Sequence, residues 1–308
     1  MTGELGLKKL WYILIGVLLL LLLIANTVLS SVPVIICSVL KLIPHTVWQN
    51  QMGKVLIFLA TLWMSINNKV SKFLLPVQYE ITGYRDFSLC RSYLILSNHQ
   101  SWLDIVILQQ IFLKRIPFAK FFMKKELLYV PILGLACWAL DFPVMKRYSK
   151  NYLNKYPEKK GHDLLETKRA CQRFKNRHVS LVNFVEGTRF TRQKHAKQNG
   201  QFKYLLQPKA GGVALALDVL GDKIKGVLNV IIVYPEVVPN FWNFLCGMIN
   251  KVNVHIELIE PQTVPYQNYY QDDVAKACFQ IWLNKLWQQN DVTINMILQF
   301  GFGKSQSR

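Results

Sequence analysis

The N-terminal part of the chain carries little hydrophobic alternation and a long apolar run. Leu10 to Leu29 is almost continuously apolar, with Leu18 to Leu23 unbroken. About twenty such residues in a helix span the hydrocarbon core of a bilayer. Lys8 and Lys9 precede the run, and Ala25-Asn26-Thr27 is a poor cleavage site. The run is also longer than the core of a cleaved leader, so an uncleaved anchor is expected. Val32 to Ile43, with Pro33 and Pro44 near its ends, is too short to span comfortably. It either prolongs the first helix with a kink or forms half of a helical hairpin in the interface. Val55 to Met64 predicts a packed or interfacial helix. Leu127 to Leu140 predicts a buried helix rather than a span. Lysines lie on both sides of the anchor, at Lys8 and Lys9 before it and Lys41, Lys54, Lys69 and Lys72 after it. Charge bias therefore does not orient it.

From about Val77 the pattern changes to short β-rich runs separated by helical periodicity. Strands are expected at Tyr79–Thr82, Tyr93–Leu96, Phe142–Met145, Val179–Val185, Asn229–Tyr234 and Asn253–Ile259. Helices are expected at Leu103–Phe112, Lys124–Leu140, Asp163–Asn176, Gly211–Leu220 and Asp272–Gln289. The alternation argues for an α/β domain. The division is an anchor with interfacial helices over 1–76 and a domain over 77–303. Tyr148 to Gly161 reads as a polar, basic surface insertion, and the tail after Gly303 as disordered.

Charge sharpens this picture. The 308 residues carry 37 Lys and Arg against 18 Asp and Glu, a net +19. Lys114–Lys209 alone holds 22 basic against 6 acidic residues. Such a field favours an anionic partner: lipid head groups, a nucleotide-bearing cofactor or nucleic acid. No nucleic-acid-binding motif is present, and the anchor already accounts for an anionic partner. The six cysteines, Cys37, Cys90, Cys137, Cys171, Cys246 and Cys278, form no CxxC pair. They read as buried free thiols in a reducing compartment, which places the domain on the cytoplasmic side.

Two short polar motifs carry the candidate chemistry. In Asn98-His99-Gln100-Ser101-Trp102-Leu103-Asp104, Ser101 reads as a helix N-cap after the strand Tyr93–Leu96. On one regular helix His99 and Asp104 would diverge by about 140°. With His99 in the turn and Asp104 in the first helical turn, they can converge. The carboxylate then orients the imidazole, whose other nitrogen can take a proton from a hydroxyl. Ser101-x-x-Asp104 is also a capping box, in which Asp104 serves only backbone amides, and spacing alone favours that reading. In Val185-Glu186-Gly187-Thr188-Arg189 a carboxylate, a glycine and a guanidinium follow a buried strand. Ligands of α/β domains gather at such strand ends. Gly187 permits close backbone approach, and Arg189 offers a planar fork for phosphate. The bland reading is a strand-ending turn with a surface ion pair.

Together, in this order, the motifs resemble those of the glycerol-phosphate acyltransferase superfamily, in its 1-acylglycerol-3-phosphate acyltransferase (PlsC-like) branch. The first stretch matches the NHxSxxD block and Glu186-Gly187-Thr188-Arg189 the EGTR block. Phe142-Pro143-Val144-Met145-Lys146-Arg147 fits a third block, a strand ending in arginine, with Asp141 where that block usually leads with glycine. Val230–Pro235 resembles a fourth, a hydrophobic strand and proline. Lys209 and Gly211 sit where the family often has a basic residue and a glycine before a helix. The resemblance covers about Tyr79 to Glu260. The enlarged spacing around Tyr148–Gly161 is similar to the lysophospholipid and lysocardiolipin side of the family.

The resemblance implies a glycerolphosphate-acyltransferase-like α/β fold, a central mainly β sheet flanked by helices, after N-terminal membrane helices. It implies transfer of an acyl chain from acyl-CoA or acyl carrier protein to the free hydroxyl of a lysophospholipid, lysophosphatidic acid or a relative. His99 would be the general base and Asp104 its orienting partner. Glu186, Gly187, Thr188, Arg189 and Arg147 would bind the acceptor. No bound cofactor, no metal and no covalent intermediate are implied. His45, His162, His178, His195 and His255 read as structural or surface. The apolar runs Leu127–Leu140 and Phe241–Ile249 either shape an acyl channel, dip into the bilayer or form ordinary core. The expected setting is an integral membrane protein, on the cytoplasmic face of the inner membrane if bacterial. The alternative is a membrane-tethered basic module that binds anionic lipid without catalysis.

Overall fold

The computed structural model describes residues 2–130, 133–145, 177–198, 200–236 and 240–301. Arg147, the Tyr148–Gly161 insertion, the helix expected at Asp163–Asn176 and the tail after Gly303 lie outside the described residues.

Helix α1 runs Thr2–Leu40, straight past the Leu10–Leu29 run and through Pro33. Between Lys9 and Lys41 it carries no charged residue. Lys8–Leu40 is, among the described residues, the helix long and apolar enough to cross a membrane by length and composition. Of Val32–Ile43, the part up to Leu40 prolongs α1, and Lys41–Ile43 lie in the turn that follows. The returning arm is instead α2, Thr46–Leu74, which starts where His45 Nδ1 accepts from Trp48 N–H. Polar groups join the two arms. Asn26 donates to Trp63 O (3.1 Å) and Asn67 Oδ1 (2.7 Å), and Trp63 Nε1 donates to Thr27 Oγ1 (3.1 Å).

The remaining elements are β1 Gln78–Gly83, β2 Ser92–Ser97, α3 Leu103–Phe112, β3 Ala119–Phe121, β4 Met123–Lys124, α4 Leu133–Ala139, β5 Val144–Met145 and β6 Ser180–Phe184. They continue with α5 Arg192–Ala196, α6 Ala210–Leu220, β7 Ile224–Val233, α7 Phe241–Leu245, β8 Lys251–Ile259 and α8 Asp273–Phe300. Six strands form one sheet in the order β1-β8-β7-β2-β6-β3. Neighbours are parallel except β7 with β8. β4 and β5 form a separate parallel pair.

β2 is buried along its whole length, which its unbroken apolar centre permits. Its side chains alternate between two cores. Leu94 and Leu96 face α6 and α8 through Val213, Leu217, Phe279, Leu283 and Trp287. Tyr93 and Ile95 face Leu103 and Ile107 of α3, Phe244 of α7 and Leu19 of α1. α1 is therefore docked on the domain, and Leu19 is fully buried there. Gly16 makes that approach possible: a Cβ on it would lie 2.6 Å from Cys246 Sγ. A third, smaller cluster joins Leu56 and Ala60 of α2 to Ala139 and Leu140.

Several expectations need correction. The helix expected over Lys124–Leu140 is β4, a 3₁₀ turn at Lys125–Tyr129 and the short α4. Pro131 disfavours helix at the residue before it, and Met123 N–H is drawn to Pro143 O (3.1 Å). β7 starts at Ile224, five residues before the expected Asn229. α8 continues past Gln289 because Asn290 is buried and exchanges hydrogen bonds with Asn229 of β7 (2.7 and 3.0 Å). β3 and β4 are too short to leave a hydrophobic period. Among the described cysteines Cys137 and Cys246 are buried, but Cys90 and Cys278 are exposed.

Candidate active site

The parallel pairing of β2 with β6 sets Ser97 opposite Phe184. Both chains leave the sheet at one level, so the two polar motifs meet. Val185 N–H donates to Ser97 O (3.2 Å), and Phe190 N–H donates to His99 O (2.7 Å). On the other side Asn98 reads the backbone of β7. Its Nδ2 donates to Ile232 O and its Oδ1 accepts from Ile232 N–H, both at 2.9 Å. This amide clamp fixes the turn that carries His99.

His99 Nδ1 lies 2.9 Å from Asp104 Oδ2, with the side chains 12% and 1% exposed. The same Oδ2 accepts from the backbone N–H of Gln100 (2.6 Å) and Ser101 (2.8 Å). Asp104 Oδ1 accepts from the Tyr234 hydroxyl (2.7 Å). The capping and orienting readings are thus both realised in one carboxylate. The helix begins at Leu103 as expected, but its N-cap position is Trp102 and not Ser101, and Ser101 Oγ accepts from Leu103 N–H (3.2 Å). Burial, then the neighbouring Asp104 carboxylate, pushes the Tyr234 phenol well above its ordinary pKa, so it stays a donor. A carboxylate can only accept, so Nδ1 is the donor in this pair, and in a neutral imidazole Nε2 is then the acceptor. Phe184 stacks on the imidazole, ring centroids 3.9 Å apart and planes 12° apart, and Phe121 stacks on Phe184 in turn.

Glu186 is 1% exposed. Burial raises its carboxyl pKa from 4.5 to about 8, although the backbone N–H groups of His99 and Leu206 oppose the rise. Its Oε1 accepts from His99 N–H at 3.4 Å, while Oε2 has no hydrogen-bond partner among the described residues. Gly187 follows at φ +67°, a left-handed conformation that favours glycine. Thr188 Oγ1 accepts from Lys194 Nζ (2.7 Å), which also donates to Arg189 O (3.0 Å). The Arg189 side chain is exposed, its guanidinium carbon 5.0 Å from the centroid of the Trp102 ring. Lys209 N–H donates to Val185 O (2.9 Å) at the start of α6. So His99, Asp104, Glu186, Gly187, Thr188 and Arg189 gather where β2 and β6 end, with Asp104 and Glu186 buried and Arg189 exposed, while Arg147 falls outside the described residues. No group of three metal-ligating side chains gathers among the described residues.

A family model described as Acyltransferase matches residues 78–238, just over half of the chain. The chain belongs to the acyltransferase family. Both polar motifs and Tyr234 fall inside the matched region. Human 1-acyl-sn-glycerol-3-phosphate acyltransferase delta is 28% identical over 185 residues, covering 56% of this chain and 44% of that protein. The mouse delta protein is 26% identical over 231 residues, covering 69% and 56%. The chain thus spans about half the length of the curated relatives it matches. The crystal structure of the 1-acyl-sn-glycerophosphate (LPA) acyltransferase PlsC from Thermotoga maritima shares the fold, with a TM-score of 0.51 at 17% identity. That likeness covers 91% of this chain and 98% of the other.

Within this candidate site, sequence reasoning assigned no part to Tyr234, Phe184, Trp102 or Lys194. Asn98 and Trp102 stand inside the first motif, so proximity was their signal. Tyr234 reaches Asp104 across 130 positions of sequence, and only strand order brings them together. Three other described histidines have partners away from this site: His45 with Trp48 N–H (3.3 Å), His255 with Thr82 Oγ1 (2.9 Å) and His195 with Phe202 O (2.6 Å).

Proposed function

We propose that this protein transfers an acyl chain from a thioester donor, acyl-CoA or acyl carrier protein, to the free hydroxyl of 1-acylglycerol-3-phosphate or a related lysophospholipid. The observation that carries this reading is the His99–Asp104 pair, with its carboxylate saturated by donors and its imidazole held by Phe184. His99 Nε2 takes the proton of the acceptor hydroxyl as the oxygen attacks the thioester carbonyl. Asp104 stabilises the resulting imidazolium. The tetrahedral intermediate collapses with cleavage of the C–S bond, and the imidazolium returns its proton to the departing thiolate. The products are an ester and a free thiol.

Arg189, with Lys194 beside it and Arg147 from the third block, receives the acceptor phosphate. Gly187 leaves room for it, Thr188 shapes the loop, and the buried Glu186 supports the acceptor site from beneath by accepting from His99 N–H. The names of the human and mouse relatives support a lysophosphatidic acid acceptor. The apolar, outward-facing surface of α1 and the +19 charge support attachment to an anionic membrane. The donor is a co-substrate, and the partners are membrane and lysolipid rather than nucleic acid.

The test is acyl transfer by detergent-solubilised protein, with labelled acyl-CoA or acyl carrier protein and a lysophospholipid panel. His99→Ala is expected to lower turnover by about 10²–10⁴-fold, the contribution of a general base. Wild-type-like turnover in that variant would refute the mechanism.

A further inference from the structure

Trp102 is an unusual residue to find at a polar site. It stands at the N-terminal boundary of α3, between His99 and Asp104 in sequence, yet it is 50% exposed. Its backbone is tied down, because Trp102 O accepts from Ile105 N–H (3.3 Å). What its ring touches is the Arg189 guanidinium, at 5.0 Å. Arg189 has no carboxylate partner among the described residues, so the ring is the group that restrains it there. The backbone beneath is held separately, by Lys194 Nζ on Thr188 Oγ1 and Arg189 O.

We propose that Trp102 is a positioning residue, whose ring presents the Arg189 guanidinium to an anionic phosphate acceptor at a fixed distance from His99. The inference rests on the acyltransferase reading and deepens it. An exposed arginine must surrender rotamer freedom to grip a phosphate bidentately. A ring face that already holds the cation reduces that cost before the substrate arrives. Because Trp102 belongs to the turn that carries His99 and Asp104, one short segment sets both the base and the phosphate grip. The spacing between the reacting hydroxyl and the phosphate of a glycerol phosphate is then read by a single rigid turn.

The experiment measures acceptor and donor KM with 1-acylglycerol-3-phosphate for Trp102→Leu, Trp102→Phe, Arg189→Ala and the Trp102→Leu/Arg189→Ala double variant. Trp102→Leu keeps apolar bulk without a π face. Its acceptor KM is expected to rise about two- to fivefold, the size of an exposed cation–π contact, with no comparable change in donor KM. Trp102→Phe is expected to restore most of the loss, and Trp102→Leu to add nothing once Arg189 is alanine. A rise for Arg189→Ala without one for Trp102→Leu overturns the inference alone. So does a Trp102→Leu loss that persists in the Arg189→Ala background. An unchanged acceptor KM in Arg189→Ala overturns the phosphate reading and this inference with it.

Discussion

The most consequential single residue beside the His–Asp pair is Glu186, a carboxyl with one oxygen unpartnered in a buried place. Its pKa of about 8 in the fold lies above the ordinary 4.5. Between those values the folded chain holds a proton that the unfolded chain has released. Stability from this group is therefore complete below about pH 4.5, declines as pH rises toward 8, and is lost above it. Glu186→Gln removes the titration. The variant is expected to gain thermal stability relative to wild type as pH rises from 5 to 9, by an amount on the order of a few kcal/mol. Parallel melting curves across that range would mean that the carboxyl titrates normally. Neither the buried state of Glu186 nor its proton was legible in the EGTR stretch, because burial is supplied by residues distant in sequence. The convergence of His99 and Asp104 was legible as one of two readings, since a turn meeting a helix permits it while the same spacing also suits a capping box.

At the scale of elements, the end of α1 is tied to the strand that leads toward Arg147. Lys41 Nζ donates to Ala139 O (2.6 Å) and pairs with Asp141 Oδ2 (2.9 Å), the two side chains 14% and 15% exposed. Asp141 stands at φ +57°, where the related block usually has glycine. The conformation that glycine supplies is thus kept, and a carboxylate is gained for the lysine. Lys41→Met is expected to cost about 2–3 kcal/mol, because a largely buried carboxylate and a carbonyl each lose the lysine as a donor. Asp141→Gly should cost less, since relief of the left-handed backbone returns about 1 kcal/mol. Urea melts of both variants check the order. A loss for Asp141→Gly equal to or larger than that for Lys41→Met would contradict it. The expectation of one helix from Lys124 to Leu140 failed here because apolar content alone does not separate a helix from a strand, turn and helix packed on the hairpin.

The whole molecule is a helical hairpin fastened to a sheet domain. The contact is intimate: Leu19 belongs to the domain core, and Gly16 lies against Cys246. Gly16→Val places a branched side chain where even a Cβ falls 2.6 Å from the sulfur. Overpacking of this kind costs about 1–3 kcal/mol and should lift α1 from α7. Labelling of the Cys246 thiol, followed by mass spectrometry at its peptide, is expected to accelerate in this variant. An unchanged labelling rate would show that the hairpin docks without help from Gly16. The docking also leaves a cavity of about 220 Å³ between the hairpin, α3 and α7, lined by Trp63, Asn68, Gln110, Phe241 and Phe244 among others. The Phe241–Ile249 run therefore contributes to this lining as well as to core.

By itself the sequence determined what local chemistry can encode. Unbroken apolarity specified a long helix, alternating runs specified an α/β domain, and a polar turn before a helix allowed the meeting of His99 with Asp104. Residue identity and spacing suffice for these, because each depends on neighbours within a few positions. Only the tertiary structure decided which loops meet, since that follows from β2 and β6 lying parallel with Ser97 opposite Phe184. It likewise brought Tyr234 to Asp104, Asn98 to Ile232 and Arg189 to Trp102. These contacts join segments up to 134 positions apart. They exist because strand order and register, driven by burial of both sheet faces, put them within reach.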